Sequence, residues 1–239
     1  MSLSGLTTSN QIGVHKLLQP KEGYRFSVDS ILLASFATIK KGPVVDLGAG
    51  SGILSLLLAG RGAAGPFTAV ELNHLSAQCC RENLAPLHAV ILEHDLRQPH
   101  VKLPAQGFNM VISNPPFTSP EHGRVSPQED KAQARHQLSL TLPQLWKAAA
   151  RLLPPKGRLA FCLPPRLLDQ ALAGLLQFSL APKRLRLVHG RLDMPAKIAL
   201  LECVKDAGPE LKVEAPLIMY KDRFNTRSRE LEDIYNSFN

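Results

Sequence analysis

Seven short apolar runs recur along the chain with helical patterns between most of them, and this alternation limits the fold more than any other feature. The runs are PVVDLG (43–48), FTAVEL (67–72), HAVILEHD (88–95), FNMVISN (108–114), GRLAFCLP (157–164), KRLRLVH (183–189) and KIALLECVK (197–205). Between them the spacing predicts helices over 53–60, 74–84, 138–152 and 165–178. Strands that are apolar without interruption are buried on both faces, so the pattern calls for a Rossmann-like α/β fold: a mostly parallel seven-stranded sheet with helices on both faces. The link GRLDMPA between the last two runs is too short for a helical crossover. Those two strands are therefore expected to pair antiparallel at a sheet edge.

At 239 residues and 44% apolar content, the chain suits one domain with a full core. The alternation places that domain at 43–205, with an N-terminal segment at 1–42 that caps the cofactor or substrate and an extension at 206–239. The extension, from Tyr220 onward, reads as either a docking helix or a frayed end. The loop from Phe117 to about Gln137 is long enough to suggest a function. The N-terminus has no basic and apolar leader pattern, and ILSLLLAG is too short to cross a bilayer, which predicts a soluble, cytoplasmic protein. Four scattered cysteines make no disulfide framework. His74, Cys79 and Cys80 lack a second ligand pair at zinc spacing, so no metal is expected.

The formal charge of +8 favours an acidic partner such as nucleic acid. From Lys147 to Lys197 there are ten basic residues against two acidic ones, which matches the whole excess.

VVDLGAGSGILSLLL sets Gly48, Gly50 and Gly52 in the turn from the first strand to the first helix, where a ligand can approach the backbone and free helix N-H groups. Ile53 stands where a dinucleotide fingerprint needs its third glycine, which disfavours an NAD-dependent oxidoreductase. Asp46 just before the loop would repel phosphates, so an amino-bearing ligand fits better. Glu71, Asp95 and Asn114 end the next three strands. Each alone reads equally well as a cap, but three in register converge on one crevice, where a carboxylate can accept both hydroxyls of a ribose.

DLGAGSG, the acidic end of VEL, EHD and SNPPF together resemble the successive motifs of class I methyltransferases that use S-adenosylmethionine. The resemblance covers roughly residues 15–205. It implies that Gly48, Gly50 and Gly52 lie along the methionine and ribose of the cofactor, with Asp46 nearby. Glu71 with Leu72 would hold the ribose, and Asp95 would accept from the adenine amino group while Leu96 packs beside the ring. GYRFSVDSILLASF, together with RVSPQEDKAQARHQ, is similar to the bacterial family that N6-methylates the adenosine next to the anticodon of a valine tRNA. That implies closure of Phe26, Asp29 and Ser30 over the methionine end, and places Arg124, Arg135 and His136 on the RNA side. Phe117 stands where many members have Tyr, and Asn109 where Asp is common.

Asn-Pro-Pro after a strand could simply stop it, since proline lacks an N-H and restricts its neighbour. In the resembling enzymes, Asn114, Pro115, Pro116 and Phe117 are the signature of methylation on a nitrogen conjugated to a planar group. Such an amine is a poor nucleophile because its lone pair is delocalised. Two aimed acceptors, the Asn114 side-chain oxygen and the Pro115 carbonyl, would hold its hydrogens so that the lone pair localises. Phe117 would stack on the extruded base, worth about 1–3 kcal/mol. Arg166, Lys183, Arg184, Arg186 and Arg191 are the candidate phosphate contacts. Adenine N6 in tRNA is the leading acceptor. Guanine N2 in ribosomal RNA, a glutamine amide in protein, and a non-catalytic RNA-binding role are the alternatives.

Overall fold

The computed structural model describes residues 3–22, 26–98, 103–114 and 140–238. An N-terminal hairpin, β1 (Thr7–Ile12) and β2 (His15–Pro20), precedes α1 (Val28–Phe36). The alternation follows as β3 (Val44–Leu47), α2 (Ile53–Gly60), β4 (Phe67–Glu71), α3 (His74–Leu84), β5 (Val90–Glu93) and β6 (Met110–Ser113). It continues as α4 (Leu142–Leu152), β7 (Arg158–Leu163), α5 (Leu168–Leu175), β8 (Leu180–His189) and β9 (Ala196–Lys205). Two short strands, β10 (Lys212–Val213) and β11 (Leu217–Ile218), and a final helix α6 (Arg229–Asn236) close the chain.

The sheet order is β10-β8-β9-β7-β6-β3-β4-β5, with β11 also pairing β8. β5, β4, β3, β6 and β7 are parallel, while β9 is antiparallel to both β7 and β8. The last two long strands do pair antiparallel, but β9 is inserted inward of β8. Burial explains the order. Residues 198–204 of β9 are all buried, whereas β8 has only four buried positions among its ten, as suits a strand covered less completely.

Two apolar layers enclose the sheet. On one face α1 and α2 pack with Leu231 and Phe238 from the C-terminal segment, and on the other α4 and α5 cover Val45, Leu47, Val111 and Phe161. In α2, ILSLLLAG has six consecutive buried residues, Ile53 to Leu58, so this helix is a core element apolar on nearly every side. Each fully buried leucine there contributes about 1.5–3 kcal/mol of transfer free energy. α4 starts later than its apolar pattern, at Leu142, because Gln144 accepts the Thr141 N-H at 2.9 Å and caps the helix there.

The N-terminal hairpin was not legible in sequence. Its strands are largely polar, and it docks by burying Ile12 and Leu17 in the core and through one amide. Asn83 of α3 accepts the Leu18 N-H at 2.8 Å and donates to the Leu18 carbonyl at 2.7 Å and the Ser51 carbonyl at 2.8 Å. One side chain thus ties the hairpin, α3 and the turn after β3 together. Among the described residues, no helix is long and apolar enough to cross a membrane.

Candidate active site

The carboxyl ends of β3, β4, β6 and β7 face the same way, so the turns that follow them share one end of the sheet. After β3 the chain reverses through Gly48 to Gly52, and the Gly48 and Ala49 N-H groups both donate to the Val70 carbonyl, at 2.9 and 3.0 Å. This pins the turn to β4. A hollow lies against it, lined by Phe26, Ser30, Gly48, Ala49, Gly50, Ser51, Ile53, Leu54 and Asn114. Three motifs far apart in sequence meet there.

Gly50 and Gly52 serve different purposes. A side chain at Gly50 would meet nothing within 4 Å, so its backbone faces open space and is accessible to a ligand. A Cβ at Gly52 would sit 2.9 Å from Cys80 Sγ and 3.0 Å from Leu84 Cδ1. Gly52, expected along the cofactor, also lets α2 begin hard against α3. Its residue type follows from helix packing, and it is absent from the lining of the hollow.

Glu71, at the end of β4, accepts the Gly50 N-H on Oε2 at 2.8 Å and the Asn73 N-H on Oε1 at 2.7 Å. Both oxygens keep a lone pair for a diol. Leu72 beside it is 36% exposed. Asp46 is fully buried beneath the turn. Ser55 donates to its Oδ2 at 3.3 Å, and its Oδ1 has no hydrogen-bond partner among the described residues. Burial pushes its carboxyl up to about 7, against the opposing hydrogen bond from Ser55 and with the nearby Glu71 charge adding to the rise. A buried oxygen short of a donor is what an amino group or an ordered water would satisfy.

Asp95 already has a partner in its own loop. Arg97 Nε lies 2.9 Å from Oδ1, Arg97 Nη2 lies 2.7 Å from Oδ2, and the Arg97 N-H donates to Oδ1 at 2.9 Å. The Arg97 hydrogen bonds hold the Asp95 carboxyl below the usual carboxylate range. Leu96 packs against the core layer that holds Val111 and Phe161.

Asn114 is fixed from two sides. Its Nδ2 donates to Ser30 Oγ at 3.0 Å, and the Cys162 thiol donates to its Oδ1 at 2.9 Å. Burial, then the neighbouring Asp29 charge, push the Cys162 thiol up, so it stays protonated and remains a donor. Asp29 is itself raised, chiefly by burial. Cys162 was missed in sequence. Register explains its place: Ser113 of β6 pairs with Phe161 of β7, which sets the next residues, Asn114 and Cys162, side by side. Pro115, Pro116, Phe117, Arg124, Arg135 and His136 lie outside the described residues.

The basic candidates divide. Arg166 is exposed just after β7. Arg184 Nε is 2.7 Å from Glu214, its Nη1 donates to the Phe36 carbonyl and to Thr38 at 2.9 Å each, and its guanidinium lies 4.3 Å over the Phe36 ring. Arg186 pairs with Glu230 at 2.6 Å and with the Ala215 carbonyl, and Lys183 donates to the Pro209 carbonyl. These three were expected on RNA. Carboxylates and carbonyls of the C-terminal segment are their partners in the structure, and the clustering of charge in sequence did not reveal them. Arg191 has a neighbour as well, the largely exposed Asp193 at 3.2 Å.

A parallel sheet with one inserted antiparallel strand, and a glycine turn and an Asn-ended strand on one hollow, define a class I S-adenosylmethionine-dependent methyltransferase. Residues 27–168 match the model of the methyltransferase small domain, and the chain belongs to that family. A curated relative, the tRNA1(Val) (adenine(37)-N6)-methyltransferase of Shewanella loihica, is 30% identical over 227 residues, covering 90% of this chain and 92% of its own. The protein of the same name from Tolumonas auensis is 35% identical over 152 residues, 61% of this chain and 62% of its own. Among solved structures, a predicted O-methyltransferase from Agrobacterium tumefaciens superposes with a TM-score of 0.69 at 23% identity, over 88% of this chain and 96% of its own. Precorrin-6y C5,15-methyltransferase from Geobacter metallireducens gives 0.53 at 16% identity, over 78% and 92%. At those identities the likeness is one of fold.

The residues present fit S-adenosylmethionine. Gly50 leaves open space at the turn, Glu71 offers lone pairs to a diol, and Asp46 holds an oxygen that lacks a donor among the described residues.

Proposed function

We propose that this enzyme methylates N6 of an adenine in tRNA, the base being turned out of its stack. The observation that carries this reading is the clamped Asn114, whose amide borders the same hollow as Gly48 and Gly50. The names of the tRNA-modifying relatives support the choice of acceptor. Gly48, Gly50 and Glu71 would hold S-adenosylmethionine, which supplies a methyl group on a positively charged sulfur and needs no acid to activate it.

The remaining chemistry falls to the chain. A carbonyl oxygen has two lone pairs, so Asn114 Oδ1 can keep the Cys162 S-H and still accept one amine hydrogen. The Pro115 carbonyl takes the other. With both hydrogens held, the nitrogen lone pair leaves conjugation with the ring and turns toward the hollow. The proton departs after transfer, so no strong base is required. Phe117 stacks on the base, and Ser30 and Cys162 stop the amide from rotating. This is positioning and preorganised dipoles rather than acid-base catalysis. Residues 1–42 and 206–239 would flank the transferase body at 43–205 as a capping segment and a support, and a tRNA substrate fits a cytoplasmic enzyme.

The test uses purified protein, labelled S-adenosylmethionine and bulk tRNA from cells lacking the modification, followed by nucleoside digestion. N6-methyladenosine is the expected product. Label in N2-methylguanosine, or in protein only, would overturn the reading.

A further inference from the structure

A second groove lies away from the hollow, beside the carboxyl end of β8. It measures about 660 Å³ and is lined by Arg191, Leu192, Asp193, Lys221, Arg223 and Phe224, with Asp222 between the last three. Phe224 is 90% exposed and Leu192 81%. Leu192 and Phe224 line the same groove, so the exposed apolar surface is shared between two residues rather than isolated.

The loop that carries Phe224 is well fixed. The chain after β11 stays on β8, with the Met219 and Tyr220 N-H groups donating to the carbonyls of His189 and Gly190 at 2.9 Å each. Tyr220 and Arg227 form an antiparallel bridge, and the Lys221 N-H donates to the Thr226 carbonyl at 2.8 Å. Inside this closed turn, the Asp222 carboxylate accepts the Phe224 N-H at 2.9 Å and the Thr226 N-H at 3.1 Å, with Asn225 at a φ of 59°. Those hydrogen bonds partner the Asp222 carboxylate, which lines the groove together with the flanking Lys221 and Arg223. Lys197 adds another, its side chain close to Gly190.

Topology puts this groove on the catalytic side. β8 runs in the same direction as β7 and β6, so its carboxyl end opens on the same end of the sheet as Asn114. Three strand spacings, about 14 Å, separate β8 from β6 across the sheet. The loop also leads directly into α6, which packs on α1, the helix that supplies Ser30.

We infer that this groove is the docking surface for an unpaired stretch of the substrate RNA, with Phe224 as a stacking platform for one base and Arg191, Lys221 and Arg223 on its phosphates. The inference rests on the tRNA reading above and adds where the RNA is held outside the reacting base. Charge complementarity selects the occupant: Arg191, Lys221 and Arg223 outnumber Asp193 and Asp222 around an exposed aromatic ring, which matches a stacked base and its phosphates. A second copy of this equally basic chain would bring like charges together.

The experiment measures binding of unmodified tRNA and of a short single-stranded RNA by filter retention, together with steady-state methylation, for wild type and three variants. Phe224→Ala should weaken RNA binding and raise KM for tRNA about 5- to 100-fold, with kcat and cofactor affinity within twofold, and Phe224→Tyr should restore both. Lys221→Gln with Arg223→Gln should flatten the salt dependence of binding by about one to two in slope. Unchanged RNA affinity in Phe224→Ala would overturn the inference, as would sedimentation showing that this variant only dissociates a dimer. The binding arm is independent of chemistry. If wild type binds RNA through Phe224 and forms no N6-methyladenosine, the docking surface stands and the proposed reaction falls; if methylation proceeds and the variant binds normally, the reverse holds.

Discussion

The carboxylates and amide at the ends of β3, β4 and β6, and the arginines along β8, are about equally conspicuous in sequence, yet the fold uses them in opposite ways. Asp46, Glu71 and Asn114 gather around one turn, where Asp46 Oδ1 lacks a hydrogen-bond partner among the described residues, Glu71 holds the Gly50 N-H and Asn114 borders the space a ligand would fill. Lys183, Arg184 and Arg186 are distributed along a strand, and each is taken up by the C-terminal segment. Convergence of polar groups at strand ends leaves valences for a ligand. A run of cations along an edge strand instead offers places for an acidic tail to attach. The groove beside Phe224 belongs to the first kind, lying beyond the end of β8 rather than along it.

The strongest way to break this comparison is to remove the buried acid that anchors the cationic side. Glu202 is fully buried in β9, where it accepts Arg158 at 2.6 Å and the Thr38 N-H at 2.8 Å, with Arg184 at 3.6 Å. Glu202→Ala removes the carboxylate of Arg158, while Arg184 keeps Glu214 at 2.7 Å, and should cost about 1.5–3 kcal/mol in urea unfolding, the scale of a lost hydrogen bond to a charged group. Cofactor affinity of the folded fraction should stay near wild type. A loss below about 1 kcal/mol would show that these arginines are solvated instead.

Asp46 tests the site side through pH. Its folded-state pKa, about 7, lies above the ordinary 3.8, so the group favours folding while protonated and that contribution fades as pH rises from about 4 to 7. Asp46→Asn should remove this fall, which amounts to at most about 1.4 kcal/mol per pH unit. Urea midpoints of wild type and variant, compared at pH 5 and pH 8, check it; parallel pH profiles would mean that Asp46 is ionised at little cost.

Asn114→Ala should lower kcat about 100- to 1,000-fold, the range for losing one preorganised polar group at a reacting centre, and leave cofactor affinity within a fewfold. Cofactor binding by calorimetry and single-turnover rates separate the two. A tenfold loss or less would remove the amide from its central role.

How much of this could be read beforehand follows from the range of the interactions. The strand-turn-helix at 43–60 and the strand ends at Glu71 and Asn114 are local patterns with a period or a spacing, so they were legible. The Cys162 contact to Asn114 depends on the register between β6 and β7, which a single strand does not encode. The fate of Arg186 depends on Glu230, 44 residues away, in a tail whose docking is decided by the burial of Leu231 and Phe238. The antiparallel pairing of β8 and β9 was legible from their short link, whereas the inward position of β9 was not, since Glu202 interrupts its apolar run.

The smallest expected effect separates two glycines in the same turn. Gly52→Ala introduces a Cβ at φ +83° and 2.9 Å from Cys80 Sγ, against a packed helix, so about 2 kcal/mol of stability should be lost from strain and clash together. Gly50→Ala enters open space at φ +57°, where only the left-handed backbone penalty of roughly 1 kcal/mol applies, and its larger effect should be on cofactor affinity. Chemical denaturation and cofactor titration on the pair should give opposite orders. If Gly50→Ala were the more destabilising and Gly52→Ala the weaker cofactor binder, the roles assigned to the two glycines would have to be exchanged, and the open face of the turn would lie toward α3.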